Sequence, residues 1–455
     1  MSEHPPGWAR AAIGDIGEVR LGRQRSPDRA TGAHMRPYMR AANVTWKGIN
    51  VEDVKAMDFS PGEFEVFALK PGDVLVGEAS GSRLEVGKSA IWRGEVSGAC
   101  FQNTLIRVRT NEVVLPEYLQ KHLTHDALRG ALAEISKGIG IHHLGAAGLA
   151  GWQIAIAPLS EQKRIVGKLD ALLARVEVCR EHLNRVPGIL KRFRQAVLAA
   201  ATSGELTREW RDERGRDFDW EAATFGSTGA VNGGITKNSG RTNAALTKKY
   251  LRVANVYANR LELDDIAEIG TTPGEYARTR LRAGDVLIVE GNGSIDQIGR
   301  AALWRGEIRE CAHQNHLIRW RSGGSVAPEF ALYWLLSPTG RMSLVEFASS
   351  TTGLHTLSLS KVSAVPLALP PMDEQLEIVR RVSDLLELAE HLEVRVARVR
   401  GVVDRSTSSV LAKAFRGELV PQDPSDEPAS ALLARLRSER EATATPPRRR
   451  ARTHA

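Results

Sequence analysis

Along residues 165–197 the apolar positions fall at Ile165, Leu169, Leu172, Val176, Cys179, Leu183, Val186, Leu190, Phe193 and Val197, stepping by four and three without a break. That 3.5-residue spacing is the seam of a helix zipped to a partner helix. The same steps recur at Ile378, Val382, Leu385, Ala389, Leu392, Val396, Val399, Val403, Ser406 and Val410. The pattern predicts two helices of about 40 residues, each on the order of 60 Å long. Pro187-Gly188 predicts a kink in the first, because proline removes a backbone donor and crowds the preceding turn. Elsewhere the apolar runs are short and alternating, as in "DVLV", "SAIW" and "TLIRVR", and are bounded by Gly, Pro and Asn, which predicts strands. One helix is predicted from Pro116, with Leu119, Leu123, Leu128 and Leu132 on one face.

The two seams belong to a repeat of the whole chain. "PYMRAANV" returns as "KYLRVANV", "LKPGDVLVGEASGS" as "LRAGDVLIVEGNGS", and "FQNTLIRVR" as "HQNHLIRWR", all at an offset of 212 residues. Between Tyr38 and Arg109 more than twenty identities lie on this one ungapped diagonal, which chance does not produce. Further on, the offset becomes 213, where "PLSEQKRIVGKLDALL" matches "PPMDEQLEIVRRVSDLL". A repeat of this length sets the architecture before any motif is read.

The predicted fold is α+β: two pseudo-symmetric mixed α/β globular domains separated by a long antiparallel two-helix coiled coil. The boundaries are 1–158 for the first domain, 159–204 for the first spacer helix, 205–370 for a linker and the second domain, 371–418 for the second spacer helix, and 419–455 for a polar, basic tail without order of its own. Heptads do not fix helix direction. The short connection after Ser203 favours antiparallel packing, with the domains at opposite ends of a stiff spacer.

Composition adds limits. Apolar residues are 42% and charged residues 25%, ordinary for a globular chain. No apolar run is long enough to span a membrane, and the start "MSEHPPGWARAAIGDIGE" lacks a basic, then apolar, export signal. A cytoplasmic location is expected. The net charge of +8 permits nucleic-acid binding without demanding it, since Arg448, Arg449, Arg450 and Arg452 sit together at the end of the chain. Cys100, Cys179 and Cys311 form no paired motif and read as buried thiols.

Catalytic signatures are thin. Gly81 to Ser89, within "GSRLEVGKSAIWR", approaches a phosphate-binding loop but carries one residue too many between its glycines. Its counterpart "GSIDQIGRAALWR" keeps both glycines while Lys88 and Ser89 become Arg300 and Ala301. A glycine-based turn survives that exchange and a phosphate loop does not, so a nucleotide hydrolase is the weaker alternative. His122 and His125, three apart on a helix with no third ligand, read as a solvated face. No catalytic residue and no metal ligand is assigned.

The doubled domain with its "GDVL" and Gln-Asn-x-Leu-Ile-Arg runs, each followed by "PLSEQKRIV" or "PPMDEQLEIV" opening a long helix, resembles the specificity subunit of type I restriction-modification enzymes over residues 1 to about 420. The resemblance implies two target recognition domains, each reading one half of a split site in double-stranded DNA, and a coiled coil that spaces them and docks two methyltransferase subunits. It places methylation and cleavage on other chains. S-adenosylmethionine would then serve the methyltransferase partner, and ATP and Mg2+ a restriction and translocase partner. A coiled-coil scaffold without DNA specificity is the remaining alternative.

Within the shared frame, positions that differ between copies are the candidates for base reading. They are Thr45 and Lys47 against Tyr257 and Asn259, Ser80 and Arg83 against Asn292 and Ile295, and His143 against Thr356. The shared pairs Arg40/Arg252 and His142/His355 suit phosphate contacts, which position without specifying. Gln102-Asn103 and Gln314-Asn315 are identical in both copies and are read as fold-forming.

Overall fold

Strand alternation builds each globular domain around a sheet buried on both faces. The structure, a computed structural model, describes residues 4–443 except 27–30, 84, 137, 139–140, 239, 242–243, 245, 293–296 and 352–353. In the first copy the strands lie in the order Gly17–Leu21, Leu105–Thr110, Val74–Gly77, Ser89–Ile91, all antiparallel. Val74, Val76, Ile106 and Val108 face one core; Leu75, Ala90 and Leu105 face another. That is the period-2 split expected of an interior strand pair. The second copy repeats it with Gly229–Gly233, Leu317–Ser322, Asp285–Val289 and Ala301–Trp304. A three-stranded sheet accompanies each, with Met35–Met39 central in the first and Leu246–Leu251 in the second.

The repeated "GD…LIRxR" residues hold this frame. Asp73 is buried and takes two bonds of 2.7 Å from the Arg109 guanidinium. Asp285 takes the same fork from Arg321 at 2.6 and 2.7 Å. Bidentate pairing satisfies a carboxylate that burial would otherwise penalise heavily.

The chain divides into two units, Met1–Leu183 with Val399–Ala455, and Asn184–Arg398. Each contains the start of one long helix and the end of the other, the helices being Leu159–Thr202 and Met372–Phe415. In the first unit Ile165 and Leu169 share a core with Leu411, Ala414 and Phe415. In the second, Val197, Leu198 and Ala201 share one with Ile378, Val382 and Leu386. Early positions of one helix meet late positions of the other, so the pairing is antiparallel. Ion pairs follow the same register: Arg180 to Asp404 at 3.4 Å in the first unit, Arg194 to Glu393 at 2.6 Å in the second.

Pro187 does not end the first helix. It cannot donate to the Leu183 carbonyl four residues back, and that carbonyl accepts instead from the Arg400 guanidinium at 3.3 Å. The predicted seam is unevenly covered. Ile165, Leu169, Leu190, Ile378 and Val382 are buried and Leu172, Val176, Leu183, Leu385, Val396 and Val403 half-buried, but Leu392 is 38% exposed and Cys179 is exposed as well. Two helices cover only one stripe of each other, and the domains cover only the helix ends.

The Glu-Gln pair that opens each helix is a tether rather than a cap. Gln162 donates to the Val113 and Ala157 carbonyls and accepts from the Leu115 N–H, all within 3.0 Å. Gln375 repeats this with Ser325, Pro370 and Ala327. Glu161 accepts from the Trp8 indole at 3.0 Å and from Gln422 at 2.8 Å, and burial pushes its carboxyl above the usual range. Glu374 accepts from the Trp220 indole at 3.2 Å, from Thr207 at 2.7 Å and from Arg211.

Two expectations need correcting. The helix predicted from Pro116 is two, Pro116–Leu128 and Ala131–Glu134, because Gly130 takes a left-handed φ of 76° between them. The region after 418 is not a loose tail up to residue 443. Leu419, Val420, Leu432 and Leu433 join the first domain's core, helix Ala429–Thr443 forms, and Asp426 pairs with Arg164 at 2.6 Å. Just as the segment after the first helix meets Glu374, this segment meets Glu161. The basic run 448–452 lies outside the described residues.

Candidate nucleic-acid interface

Beyond Val74–Gly77 the chain forms Ala79–Ser80, paired antiparallel with His142–His143 so that Ser80 faces His142. In the second copy Gly291–Asn292 pairs with Leu354–Thr356, Asn292 facing His355 and Gly291 facing Thr356. The structure thus brings the differing positions 80/292 and 143/356 into one ribbon with the shared histidines. The Ser80 hydroxyl accepts from the Ser82 N–H at 3.0 Å, and His142 Nδ1 lies 3.2 Å from the Ser136 hydroxyl. Arg83 is exposed in the following turn. Ile295 lies outside the described residues, as do the side chains of Asn292 and His355.

A shared acid sits beside each ribbon. Glu78 lies 3.1 Å from His143 Nδ1, and Glu290 lies 2.9 Å from His316 Nδ1. The same carboxylate therefore recruits its histidine from a different element in each copy, His143 from a ribbon strand and His316 from the turn before Leu317–Ser322. Such a pair presents a carboxylate acceptor and an imidazole, polar groups that can meet base edges. Sequence reasoning overlooked it, although Thr104 against His316 is a difference inside the shared Gln-Asn-x-Leu-Ile-Arg run and met the criterion that selected Ser80.

Two tight hairpins form the second cluster. Val44–Thr45 pairs with Gly48–Ile49, and Val256–Tyr257 with Arg260–Leu261. Thr45 serves its turn, donating to the Gly48 carbonyl at 2.7 Å and accepting from the Lys47 N–H at 3.2 Å. Lys47 reaches Glu177 on the first long helix at 2.6 Å, and this hydrogen bond holds its ammonium above the usual lysine range. Asn259 has a left-handed φ of 57°, a conformation that asparagine tolerates. Tyr257 is 38% exposed, with the guanidiniums of Arg260 and Arg300 each 5.1 Å from its ring centre. Trp46, 39% exposed on the first hairpin, was not anticipated.

Arg40 and Arg252 each precede a single 3-10 turn. Arg40 pairs with Asp53, whose carboxyl Lys55 and Arg40 hold low; Arg252 pairs with Asp265 at 2.8 Å. Beside Arg40 opens a cleft of about 420 Å3 lined by Arg25, Lys55, Gln102 and Thr104 among others. The fold-forming part of Gln102-Asn103 is their backbone, whose N–H groups bond Met39 and Arg23 at 2.9 and 3.0 Å. Gln314-Asn315 repeats these bonds to Leu251 and Ile235. Gln102 also lines the cleft.

The phosphate-loop alternative has no geometry behind it. Gly87 and Gly299 take φ of 78° and 65° against Leu132 and Leu344, where a Cβ would collide. Ser89 is buried in a strand and Lys88 pairs with Glu85 at 3.5 Å. His122 is a correction: it is buried, 3.1 Å from Asp126 and receiving the Ala155 N–H at 3.3 Å. His125 packs on Phe415, and burial takes it down to about 4. Positions 118, 119, 122, 123 and 126 share the buried stripe of their helix, which the leucine count alone concealed. Among the described residues no group of three or more His, Cys, Asp or Glu could hold a metal ion. Cys100 and Cys311 are buried, their thiols pushed up to about 12 by desolvation, whereas Cys179 is exposed.

No protein-family model matches the chain. The EcoKI specificity subunit of the type I restriction enzyme from Escherichia coli K12 is 31% identical over 460 residues, 96% of this chain and 97% of that protein. The StySPI specificity subunit from Salmonella potsdam is 31% identical over 454 residues, covering 96% of each. Among solved structures, a chain from a study of the assembly and conformational transition of the type I R-M system aligns over 91% of this chain and 99% of that one, with TM-score 0.65 and 21% identity. The HsdS subunit from Thermoanaerobacter tengcongensis aligns over 91% and 98%, with TM-score 0.61 and 20% identity. These two share the fold. With the repeat, the antiparallel helices and 31% identity over 96% of its length to two specificity subunits, the chain belongs to the type I restriction enzyme specificity subunits.

Proposed function

We propose that this chain reads a bipartite double-stranded DNA site, one half with each globular domain, and carries no catalysis itself. One observation carries the reading: residues shared by the copies make buried frame bonds, such as Asp73–Arg109 and the Gln162 tether, while the differing ones gather at ribbons and hairpins. Two readers built on one frame suit two different half-sites. The spacer helices set the gap and dock two methyltransferase subunits. Exposed Val178 and Val402 on the first unit's helices, and Ile189, Leu388 and Val394 on the second's, offer apolar anchors for that docking. S-adenosylmethionine is then bound by the methyltransferase partners, and ATP with Mg2+ by restriction and translocase subunits where these are present. The complex acts in the cytoplasm; among the described residues no helix is long and apolar enough to cross a membrane.

The test is co-expression with the methyltransferase subunit and mapping of methylated bases. A split motif is expected, in which exchanging residues 215–365 for those of another reader changes one half alone. A contiguous motif, or one unaffected by the exchange, refutes the reading.

A further inference from the structure

The second unit contains a cleft of about 1360 Å3 between its hairpin Val256–Leu261, the region of Tyr333 to Arg341, and the two long helices. Five cations line it: Lys191 and Arg194 from the first helix, and Arg260, Arg300 and Arg341 from the domain. Two carboxylates oppose them, Glu390 and Glu393, and Glu393 is held by Arg194 through bonds of 2.6 and 2.9 Å. Among the described residues Lys191 and Arg300 have no carboxylate partner. Arg260 pairs with Glu262 at 2.7 Å and shares the Tyr257 ring with Arg300. A wall with an excess of positive charge and two cations without a carboxylate partner is built for an anion.

The internal repeat supplies a control. At the matching places of the first unit, Lys191 becomes Asp404, Arg194 becomes Thr407 and Arg260 becomes Gly48. The two cations that survive, Lys88 and Arg129, are neutralised locally by Glu85 and Asp126, at 3.5 and 3.0 Å. Asp404 is itself paired with Arg180. There the hairpin is bridged to the helix by Lys47–Glu177 at 2.6 Å, whereas Asn259 stands at the lysine's place opposite Glu390. The frame is common to both units, so the charge is an addition to the second.

We propose that this cleft seats the phosphodiester backbone of duplex DNA beside the second half-site, so that the spacer helix contributes phosphate contacts in this unit that it does not make in the other. The inference rests on the DNA-reading function above. Phosphate contacts add affinity without sequence preference and steepen its salt dependence.

The experiment measures duplex binding by the complex with its methyltransferase subunits across a salt series. The variants are Lys191→Gln with Arg260→Gln and Arg300→Gln, a rescue set Arg260→Lys with Arg300→Lys, and a control Lys88→Gln with Arg129→Gln in the first unit. At about 0.9 per phosphate lost, the triple variant should reduce the slope of log affinity against log salt by about 2 to 3. Cognate and unrelated duplexes should weaken alike, and the lysine set should restore the slope, which a merely structural injury would not allow. An unchanged slope in the triple variant, or an equal fall in the control, overturns the proposal. Saturable binding of ATP or inorganic phosphate that the triple variant abolishes, with duplex affinity untouched, assigns the cleft to a small anion and overturns it too. A wild-type complex with no salt-sensitive duplex binding overturns the function itself, and the inference with it.

Discussion

Gln375→Ala should remove the peg that fixes the second long helix to its domain. The side chain is 1% exposed; its amide donates to the Ser325 and Pro370 carbonyls at 3.0 and 2.8 Å, and its oxygen accepts the Ala327 N–H at 2.8 Å. Three neutral hydrogen bonds contribute about 1 kcal/mol each, and truncation also strands a buried donor and two carbonyls. The expected loss is about 3–5 kcal/mol, comparable with the whole stability margin of many domains. Gln375→Glu separates hydrogen bonding from volume. It keeps size and acceptor but turns a carboxylate oxygen toward two carbonyls, so at neutral pH it should cost at least as much as alanine. Acid should restore part of the loss by returning one donor. Urea unfolding followed by circular dichroism, with hydrogen exchange of residues 317–336, measures both. Gln162→Ala should cost the same, its three bonds lying within 3.0 Å, and the two losses should add because they share no partner. An alanine variant within about 1 kcal/mol of wild type, or a glutamate variant as stable as wild type at pH 7, refutes the tether.

Burial takes His313 down to about 4, with its ring against the Thr279 carbonyl at 2.9 Å. The native state binds fewer protons than the unfolded chain between that value and about 6.5, so its contribution is complete above this window and is lost as pH falls through it, by up to about 3 kcal/mol. Unfolding midpoints at pH 7, 5.5 and 4 should show the fall, and His313→Gln should flatten it. Leu433→Ala, at a position 5% exposed within the first domain's core, should cost about 2–4 kcal/mol and leave the second unit's protease resistance unchanged. Inserting one heptad into both long helices should lengthen the methylated motif's gap by about three base pairs, since seven residues span about 10 Å; an unaltered gap removes the spacer role.

Much of the fold was legible because a repeat tests every pattern twice. The seam spacing gave two long helices, and the alternation in "DVLV" and "LIRVR" gave the paired strands, now seen as Val74–Gly77 against Leu105–Thr110. Misreadings arose where one residue decided the outcome. Gly130 splits a helix whose leucine spacing runs through it, because a left-handed φ of 76° is invisible to apolar periodicity. Pro187, by contrast, lies inside one long helix as the unbroken seam spacing predicts, and the Leu183 carbonyl it cannot serve accepts from Arg400. Residues 419–443 read as tail because their few apolar positions complete a core contributed by residues far away in sequence.

The candidate site was legible in the differences between copies rather than in the motifs. The Gln-Asn pair, the Asp-Arg fork and the Glu-Gln helix start are the strongest sequence signals, and their main bonds belong to the frame. On the proposed reading of two half-sites by one fold, the frame is kept while the contacts vary, so identity between copies marks what carries the structure and divergence marks the candidates for meeting the target. Position-by-position comparison of the copies selects Ser80 and His143 as candidates. It passes over Glu78 and Glu290, which are identical yet pair with histidines from different elements, His143 on a strand and His316 in a turn. Here an identical residue takes part in a divergent site because its partner changed. Only the folded geometry reveals that exchange, since positions 143 and 316 do not correspond in the repeat.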